Sequence, residues 1–466
     1  MRSASSNWTR EADVMDEMIA DLPYRSRDEI DAVQERNFAA TLDLVFERHP
    51  YYRQRFADMG LKRSDIGGLK DISRIPIIAK KDYMAEPEAF RMDCRDLPIE
   101  MQVTWDVMHT TGTSTGIPTP FYSTTYDFYN ILTTNRRALE IRGVNENDII
   151  ANLCPLTVHP YGAYHRTIAA ANAMKIPVVS PLPGKPSPYF HWSSGMDEVV
   201  ATVARTRATI LWGVASYTRR VILQAEENGA DFSAVRLVFV TGEAVTEEMR
   251  DDMTRRLVNM GAKNPLVSVS YAATEMQVGT VECQPGAGYH NPAPDEFYFE
   301  VVDPESHKPL PDGQRGMAVM THLNRRGTVL LRYALGDLTV LSREACPHCH
   351  ATTDRFVEMP SRADDLVKVK GMLINPALLG KALIADDRVA EYQIVIDRTD
   401  PNDRLSMDRL TVRVAANVAT GDEFAGEMAE LVKAAVGVRP EIDLVDAREI
   451  FDTEKSLKSK RLIDLR

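Results

Sequence analysis

Leu266-Val267-Ser268-Val269 runs without a break into Ser270-Tyr271-Ala272-Ala273-Thr274-Glu275. The first four residues have the composition of a short strand buried within a sheet; the segment then turns polar. Three earlier segments share the form: Ile149-Ile150-Ala151-Asn152-Leu153, Thr209-Ile210-Leu211-Trp212 and Leu237-Val238-Phe239-Val240. Each of these three is followed by Gly, Pro or small residues and then by a helix-like segment. That alternation predicts an α/β layered domain with a largely parallel sheet. Ligands of such sheets bind beyond the carboxyl ends of the strands, so the polar segments after the runs are where chemistry is expected.

On both sides of this centre the pattern changes. The first ~100 residues read as helical, with Phe38, Leu42, Val45 and Phe46 on one helical face and His49-Pro50 as the end of that helix. Beyond about residue 360, the polar stretch Asp397 to Asp408 separates strand-like runs Tyr392–Ile396 and Leu410–Val414, and Phe424 to Val436 reads as a helix. The expected organisation is a large domain over residues 1–360, multi-layered with mostly parallel sheets, and a small α+β domain over 361–466. The join falls at Ser361-Arg362-Ala363-Asp364-Asp365.

A chain of 466 residues exceeds the roughly 250–300 at which single cores stop growing, so two or more domains are expected. Its 44% apolar and 26% charged residues are those of an ordinary globular protein. A formal net charge of -12 disfavours nucleic-acid partners. No apolar run approaches the ~18 residues of a membrane span, and Met1 to Arg10 lacks the apolar core of a signal peptide. A cytoplasmic protein without membrane or nucleic-acid partners is therefore expected. The five cysteines, Cys94, Cys154, Cys283, Cys346 and Cys349, are too sparse for a disulfide framework.

Four segments carry candidate chemistry. In His109-Thr110-Thr111-Gly112-Thr113-Ser114-Thr115-Gly116-Ile117-Pro118-Thr119, two glycines frame a hydroxyl-rich turn. Glycine lets backbone approach a ligand closely, and N–H groups with hydroxyls wrap phosphate oxygens. The Gly-Lys-Ser/Thr ending of a Walker loop is missing, and a surface linker would have the same composition. Glu275, after the strand, suits Mg2+ or simply an acidic first helical turn. Asp337, in Arg332-Tyr333-Ala334-Leu335-Gly336-Asp337, suits ribose hydroxyls or a hairpin turn. Basic pieces at Arg362 to Gly371 and Lys455 to Arg461 read as solvated faces or as the place of a catalytic lysine.

Taken in order, these segments resemble the adenylate-forming superfamily, and within it the phenylacetate–CoA ligase-like group. The likeness extends to His49-Pro50-Tyr51-Tyr52-Arg53, to Ile75-Pro76-Ile77-Ile78-Ala79-Lys80-Lys81 and to the ending Lys458-Ser459-Lys460-Arg461-Leu462-Ile463-Asp464-Leu465-Arg466. The resemblance implies ATP-dependent activation of a carboxylic acid, of an aromatic kind, to an acyl adenylate, followed by transfer to coenzyme A. Thr110, Thr111, Gly112, Thr113, Ser114, Thr115 and Gly116 would cradle the ATP phosphates. Gly242-Glu243-Ala244 would lie against the adenine and Tyr271 would stack near it. Thr274 would touch the α-phosphate, Glu275 would bind Mg2+, and Asp337 would hold the ribose with Arg355 or Arg362. Asp364 would be the hinge of a mobile small domain, and Lys458 the catalytic lysine, with Lys460 and Lys455 as alternatives. His159, Tyr161, Trp212, Ala215 and Ala273 would line the acid pocket. Ile117, Ala215, Ala272 and Leu457 depart from residues common in relatives.

Cys346-x-x-Cys349 has the spacing of half a zinc site. Glu282-Cys283 and Tyr289-His290 match a Glu-Cys…Leu-His pattern of the group. The resemblance thus implies a structural Zn2+ on Cys283, His290, Cys346 and Cys349, with His348 and His350 competing for the fourth place. Other readings keep adenylation but deliver the acyl group to a carrier-protein thiol, an amine or another nucleophile, or make the chain a degenerate binding or regulatory homologue. A homodimer is also compatible with the resemblance.

Overall fold

A computed structural model describes residues 19–466 except 111–117, 157–161, 185–192, 244, 363–366, 370–371, 401–405, 419–420 and 454–457. Along the chain, helices α1 (Arg27–Arg48) and α2 (Pro50–Met59) come first, then the hairpin strands β1 (Thr104–His109) and β2 (Pro120–Thr124) and helix α3 (Thr125–Ile141). Strand β3 (Ile150–Asn152), helix α4 (Gly162–Met174), helix α5 (Met196–Thr206), strand β4 (Ile210–Val214), helix α6 (Ala215–Glu227), strand β5 (Leu237–Thr241), helix α7 (Glu247–Asn259) and strand β6 (Leu266–Tyr271) give the expected alternation. Six strands follow: β7 (Thr280–Glu282), β8 (Tyr289–His290), β9 (Phe297–Val302), β10 (Arg315–His322), β11 (Tyr333–Ser342) and β12 (Arg355–Phe356). The last part contains helix α8 (Pro376–Ile384), strands β13 (Val389–Arg398) and β14 (Asp408–Ala416), helix α9 (Asp422–Val436), and strands β15 (Glu441–Leu444) and β16 (Leu462–Asp464).

All four apolar runs quoted above are strands, because their residues are buried on both faces: Ile150, Ile210, Leu211, Val238, Phe239, Val240 and Val269 have no exposed surface. The α/β class therefore holds, with a large mixed sheet. Parallel pairing is seen at β4 and β5, Ile210 to Val214 against Leu237 to Thr241. The strands after β6 are joined antiparallel, through β7, β8, β12, β11, β10 and β9. From β6 to β8 the connections are too short for the crossover of about a dozen residues that parallel neighbours need.

Two compact units emerge. One comprises residues 1–150, 156–178 and 268–361, the other 151–155, 179–267 and 362–466. In the first, Ser26 caps α1 by accepting from Glu29 N–H, and His49 separates α1 from α2, which starts at Pro50 where the ring costs no hydrogen bond. The helix thus ends where expected, and a second begins at once. These two helices brace the strand side of the unit. His49 Nε2 lies 3.1 Å from Phe90 O and 3.2 Å from Val329 O. Tyr52 Oη donates to Leu331 O at 3.1 Å and accepts from Leu331 N–H at 2.6 Å. Ile78, from the Ile-Pro-Ile-Ile stretch, bridges β11 through Ile78 N–H to Arg332 O and Ala334 N–H to Ile78 O, both 2.9 Å.

In the second unit, the C-terminal part is the α+β piece read from the sequence. β13 and β14 pair antiparallel, with β15 parallel to β14 and β16 parallel to β13. Leu379, Leu383, Ile394, Ile396, Val412 and Val432 form its core. At roughly 25 cal/mol per Å2 of buried apolar area, such side chains stabilise by about 1.5–3 kcal/mol each relative to exposure. Among the described residues no helix is long and apolar enough to cross a membrane.

Candidate functional site

In the first unit, the β1–β2 hairpin carries the hydroxyl-rich segment. Its neck is closed twice: Thr110 N–H donates to Thr119 O, and Thr119 N–H donates to Thr110 Oγ1, each at 3.0 Å. Thr110 is buried there. Thr111, Gly112, Thr113, Ser114, Thr115, Gly116 and Ile117 lie outside the described residues.

Strand β6 delivers Tyr271, and a single 3-10 turn, Thr274–Met276, delivers Thr274 and Glu275. Glu275 is 3% exposed. A buried carboxylate needs partners, and Glu275 has them. Tyr333 Oη, on β11, donates to Glu275 Oε1 at 2.7 Å. His322 Nε2, at the end of β10, donates to Glu275 O at 3.0 Å, while Nδ1 accepts from Leu330 N–H at 3.0 Å. With one nitrogen donating and the other accepting, His322 is neutral. Burial, and then the charge of Arg325, hold its pKa well below the usual histidine range. Burial first, then the negative charge of Glu275, raise the Tyr333 phenol, so it stays a donor. One oxygen of Glu275 is thus engaged by a fixed donor in a carboxylate that sits directly after a strand.

Tyr271 Oη donates to Asp337 Oδ2 at 2.6 Å, and its ring meets Phe356 edge-on at 6.0 Å. The two residues expected near adenine and ribose are therefore neighbours in this unit. Ala273 is half-buried just before the turn. Arg355, on β12, is half-buried and donates to Glu344 O.

The first unit also gathers Cys283, His290, Cys346 and Cys349, whose ligand atoms all lie within 4.8 Å of one another. Cys283 Sγ is 3.9 Å from Cys346 Sγ, and Cys349 Sγ is 3.4 Å from His290 Nε2. Tetrahedral zinc, with Zn–S about 2.3 Å and Zn–N about 2.0–2.1 Å, would require about 3.8 Å and about 3.6 Å for these pairs. His290 Nδ1 lies 3.1 Å from Val281 O, which leaves Nε2 for a metal. His348 and His350 are exposed, while His290 is fully buried and completes the set. Hydrogen bonding from Cys283, and then from His290, lowers the pKa of the Cys349 thiol.

In the second unit, Trp212 on β4 is half-buried and meets Phe239 edge-on at 5.5 Å. Ala215 is fully buried at the first position of α6. After β5 the chain turns at Gly242, whose φ of +82° favours glycine. A Cβ there would stand 3.3 Å from Lys458 Nζ. Glu243 Oε2 accepts from Ser216 N–H at 2.8 Å and Oε1 from Ser459 N–H at 3.1 Å. Lys458 is half-buried and Lys460 exposed. His159, Tyr161, Ala244, Asp364, Lys455 and Leu457 lie outside the described residues, as does the side chain of Arg362.

Sequence reasoning missed the groups that hold Glu275. Tyr333 lay inside a quoted motif, but its partner is 58 residues away, and His322 stands 47 residues from Glu275. The one available signal was a tyrosine following the apolar run Val329-Leu330-Leu331 and Arg332.

Residues 104–322 match a family model described as AMP-binding enzyme, and residues 371–466 one described as AMP-binding enzyme C-terminal domain. The phenylacetate-coenzyme A ligase of Thermus thermophilus is 26% identical, over 94% of this chain and 97% of that protein. The phenylacetate-coenzyme A ligase of Escherichia coli is 24% identical, over 95% and 96%. Among solved structures, 2-hydroxyisobutyryl-CoA ligase in the postadenylation state with 2-HIB-AMP aligns with a TM-score of 0.78 at 23% identity, over 95% of this chain and 90% of that one. The same ligase in the thioesterification state gives 0.63 at 24% identity, over 95% and 91%. At these identities the structural likeness is one of fold.

Proposed function

Since the chain belongs to the adenylate-forming superfamily, in its phenylacetate–CoA ligase-like group, we propose that it activates a carboxylic acid with ATP and transfers the acyl group to coenzyme A. The observation that carries the reading is Glu275, in the turn after β6, whose buried carboxylate accepts from Tyr333 and whose main-chain carbonyl accepts from His322. In the first half-reaction the substrate carboxylate attacks the α-phosphorus and pyrophosphate leaves. Negative charge builds on the phosphoryl oxygens. Lys458 stabilises that charge, and Thr274 donates to the α-phosphate. Glu275 would hold Mg2+, which supplies further charge neutralisation when bound. Tyr271 and Asp337 would hold the nucleoside, with Arg355 or Arg362. In the second half-reaction a thiol displaces AMP from the acyl adenylate, and the small domain, hinged at Asp364, rearranges to admit it.

The acid is proposed to be aromatic, on the likeness to two phenylacetate-coenzyme A ligases along nearly the whole chain. Trp212, Ala215, Ala273, His159 and Tyr161 would line its pocket. The test is pyrophosphate release by the purified protein with ATP and Mg2+ over a panel of aryl acids and short branched 2-hydroxy acids, with and without coenzyme A. Release with one aryl class, and coenzyme-A-dependent AMP formation, is the expected result. Release without that dependence would transfer the proposal to a carrier-protein thiol or an amine acceptor. No release with any acid would favour a binding homologue.

The Cys283, His290, Cys346, Cys349 cluster is proposed to hold a structural Zn2+, since its donor types and separations fit tetrahedral coordination. Four protein donors leave no open position, so no catalytic step passes through it. Metal analysis should find about one zinc per chain. Chelation should lower the melting temperature, and absence of zinc would remove the proposal.

A further inference from the structure

Glu243 occupies the turn after β5 and uses each carboxylate oxygen on a different backbone segment of the second unit. Oε2 accepts from Ser216 N–H, in the first turn of α6, at 2.8 Å. Oε1 accepts from Ser459 N–H, next to Lys458, at 3.1 Å. A Cβ at the neighbouring Gly242 would stand 3.3 Å from Lys458 Nζ. Further contacts of the terminal segment include bonds to β13. Ile394 N–H donates to Arg461 O at 2.8 Å, Gln393 Nε2 donates to Lys460 O at 2.9 Å, and Arg461 Nη1 donates to Tyr392 O at 2.9 Å. Those bonds keep the segment on its own sheet. The bond from Glu243 ties the residue beside the lysine to the turn after β5.

We infer that Glu243 is a positioning residue that selects the acid-activating arrangement by fastening the Ser459 N–H and so presenting Lys458. The inference rests on the adenylation reading and deepens it. A carboxylate can serve two N–H donors at once, one on each oxygen, whereas an amide has one accepting oxygen and a donating NH2 group. The Ser216 N–H has no helical acceptor, being in the first turn, so the single oxygen of a glutamine would go to it. Ser459 would then face an N–H group and be released. Adenylation needs the lysine in place, while thiol attack on a finished adenylate needs different groups, so a fastening that can open serves both steps.

The experiment compares Glu243→Gln and Glu243→Ala with the wild type in three measurements. Acid-dependent exchange between pyrophosphate and ATP, read at saturating ATP, should fall about thirtyfold in kcat. Thiolysis of a supplied acyl adenylate by coenzyme A, read at saturating adenylate, should fall clearly less than that in kcat. Amide hydrogen exchange across residues 458–464 should accelerate in both variants without ligand. Equal loss of both half-reactions, unchanged exchange of pyrophosphate, or unchanged amide exchange would each overturn the proposal. Amide exchange does not depend on activity. Should the wild type activate no acid while residues 458–464 still respond to Glu243→Gln, the adenylation reading fails and the fastening stands. Should both variants fail to fold, the wild type decides: amide exchange at 458–464 must rise when coenzyme A joins a non-hydrolysable acyl-adenylate mimic. No rise overturns the proposal.

Discussion

Glu275 and Lys458 are both assigned to the same phosphate chemistry, yet the protein holds them in opposite ways. Glu275 is enclosed by the first unit, with its carboxylate on Tyr333 and its carbonyl on a neutral buried His322. Those partners are themselves placed by β10 and β11; β11 is braced by Ile78, and the stretch leading into it, Val329 to Leu331, by His49 and Tyr52. Lys458 stands on an extended segment just before the three-residue edge strand β16, next to a serine fastened by one carboxylate. A group needed at a fixed place is built into buried strands. Lys458, proposed for one half-reaction, is set on a segment whose neighbouring Ser459 is bonded to the turn after β5.

The contrast can be broken most sharply at the lysine. Lys458→Ala should lower pyrophosphate release by about a hundredfold to a thousandfold, the cost of removing one electrostatic stabiliser of a transition state. Thioesterification of a supplied adenylate should survive. Loss of both steps alike would place Lys458 with the permanently needed groups and end the distinction. The next largest effect is expected on the other side. Tyr333→Phe deletes the donor to Glu275 and leaves a buried carboxylate oxygen unserved, so pyrophosphate release should fall about tenfold and the Mg2+ concentration for half-maximal rate should rise. An unchanged Mg2+ requirement would show that Glu275 needs no such holding.

How much of this was legible follows from distance along the chain. The four buried strands were readable because each is a contiguous apolar run closed by small residues. Glu275 and Asp337 stood out as candidates only within the ordered set of segments, since each alone also fits a helix start or a turn, and the Cys346-x-x-Cys349 spacing gave half a site. Tyr333 on Glu275, Tyr52 on Leu331 and Glu243 on Ser459 were not readable, since these bonds span 58, 279 and 216 residues. No local period reports them. The antiparallel strands after β6 were also missed, because β7, β8 and β12 are only two or three residues long and show no alternation.

An effect of pH on stability sharpens the bracing side of the comparison. Burial pushes the His49 pKa down to about 4. Its unfolded value is near 6.5, so between about pH 4 and pH 6.5 the unfolded chain binds the extra proton. Stability is therefore full above about pH 6.5 and is lost as pH falls towards 4, by about 3 kcal/mol for one such group. His322, neutral and buried, acts in the same direction. Denaturant melts at several pH values should show this slope, and His49→Gln should flatten it while lowering stability at pH 7. An unaltered slope would mean that His49 does not brace the unit.

The Tyr52–Leu331 and His49–Val329 bonds also set a schedule. Their partners lie 279 and 280 residues apart. At ribosomal rates of roughly 5–20 residues per second, α1 and α2 leave the exit tunnel about 15–60 s before the strand they brace exists. During that interval Tyr52, Phe56 and Phe38, all buried in the finished protein, have nowhere to go. The nascent chain must shield an apolar helical pair while most of its length is still unmade, so slowed elongation or a scarcity of chaperones would be felt first at this end.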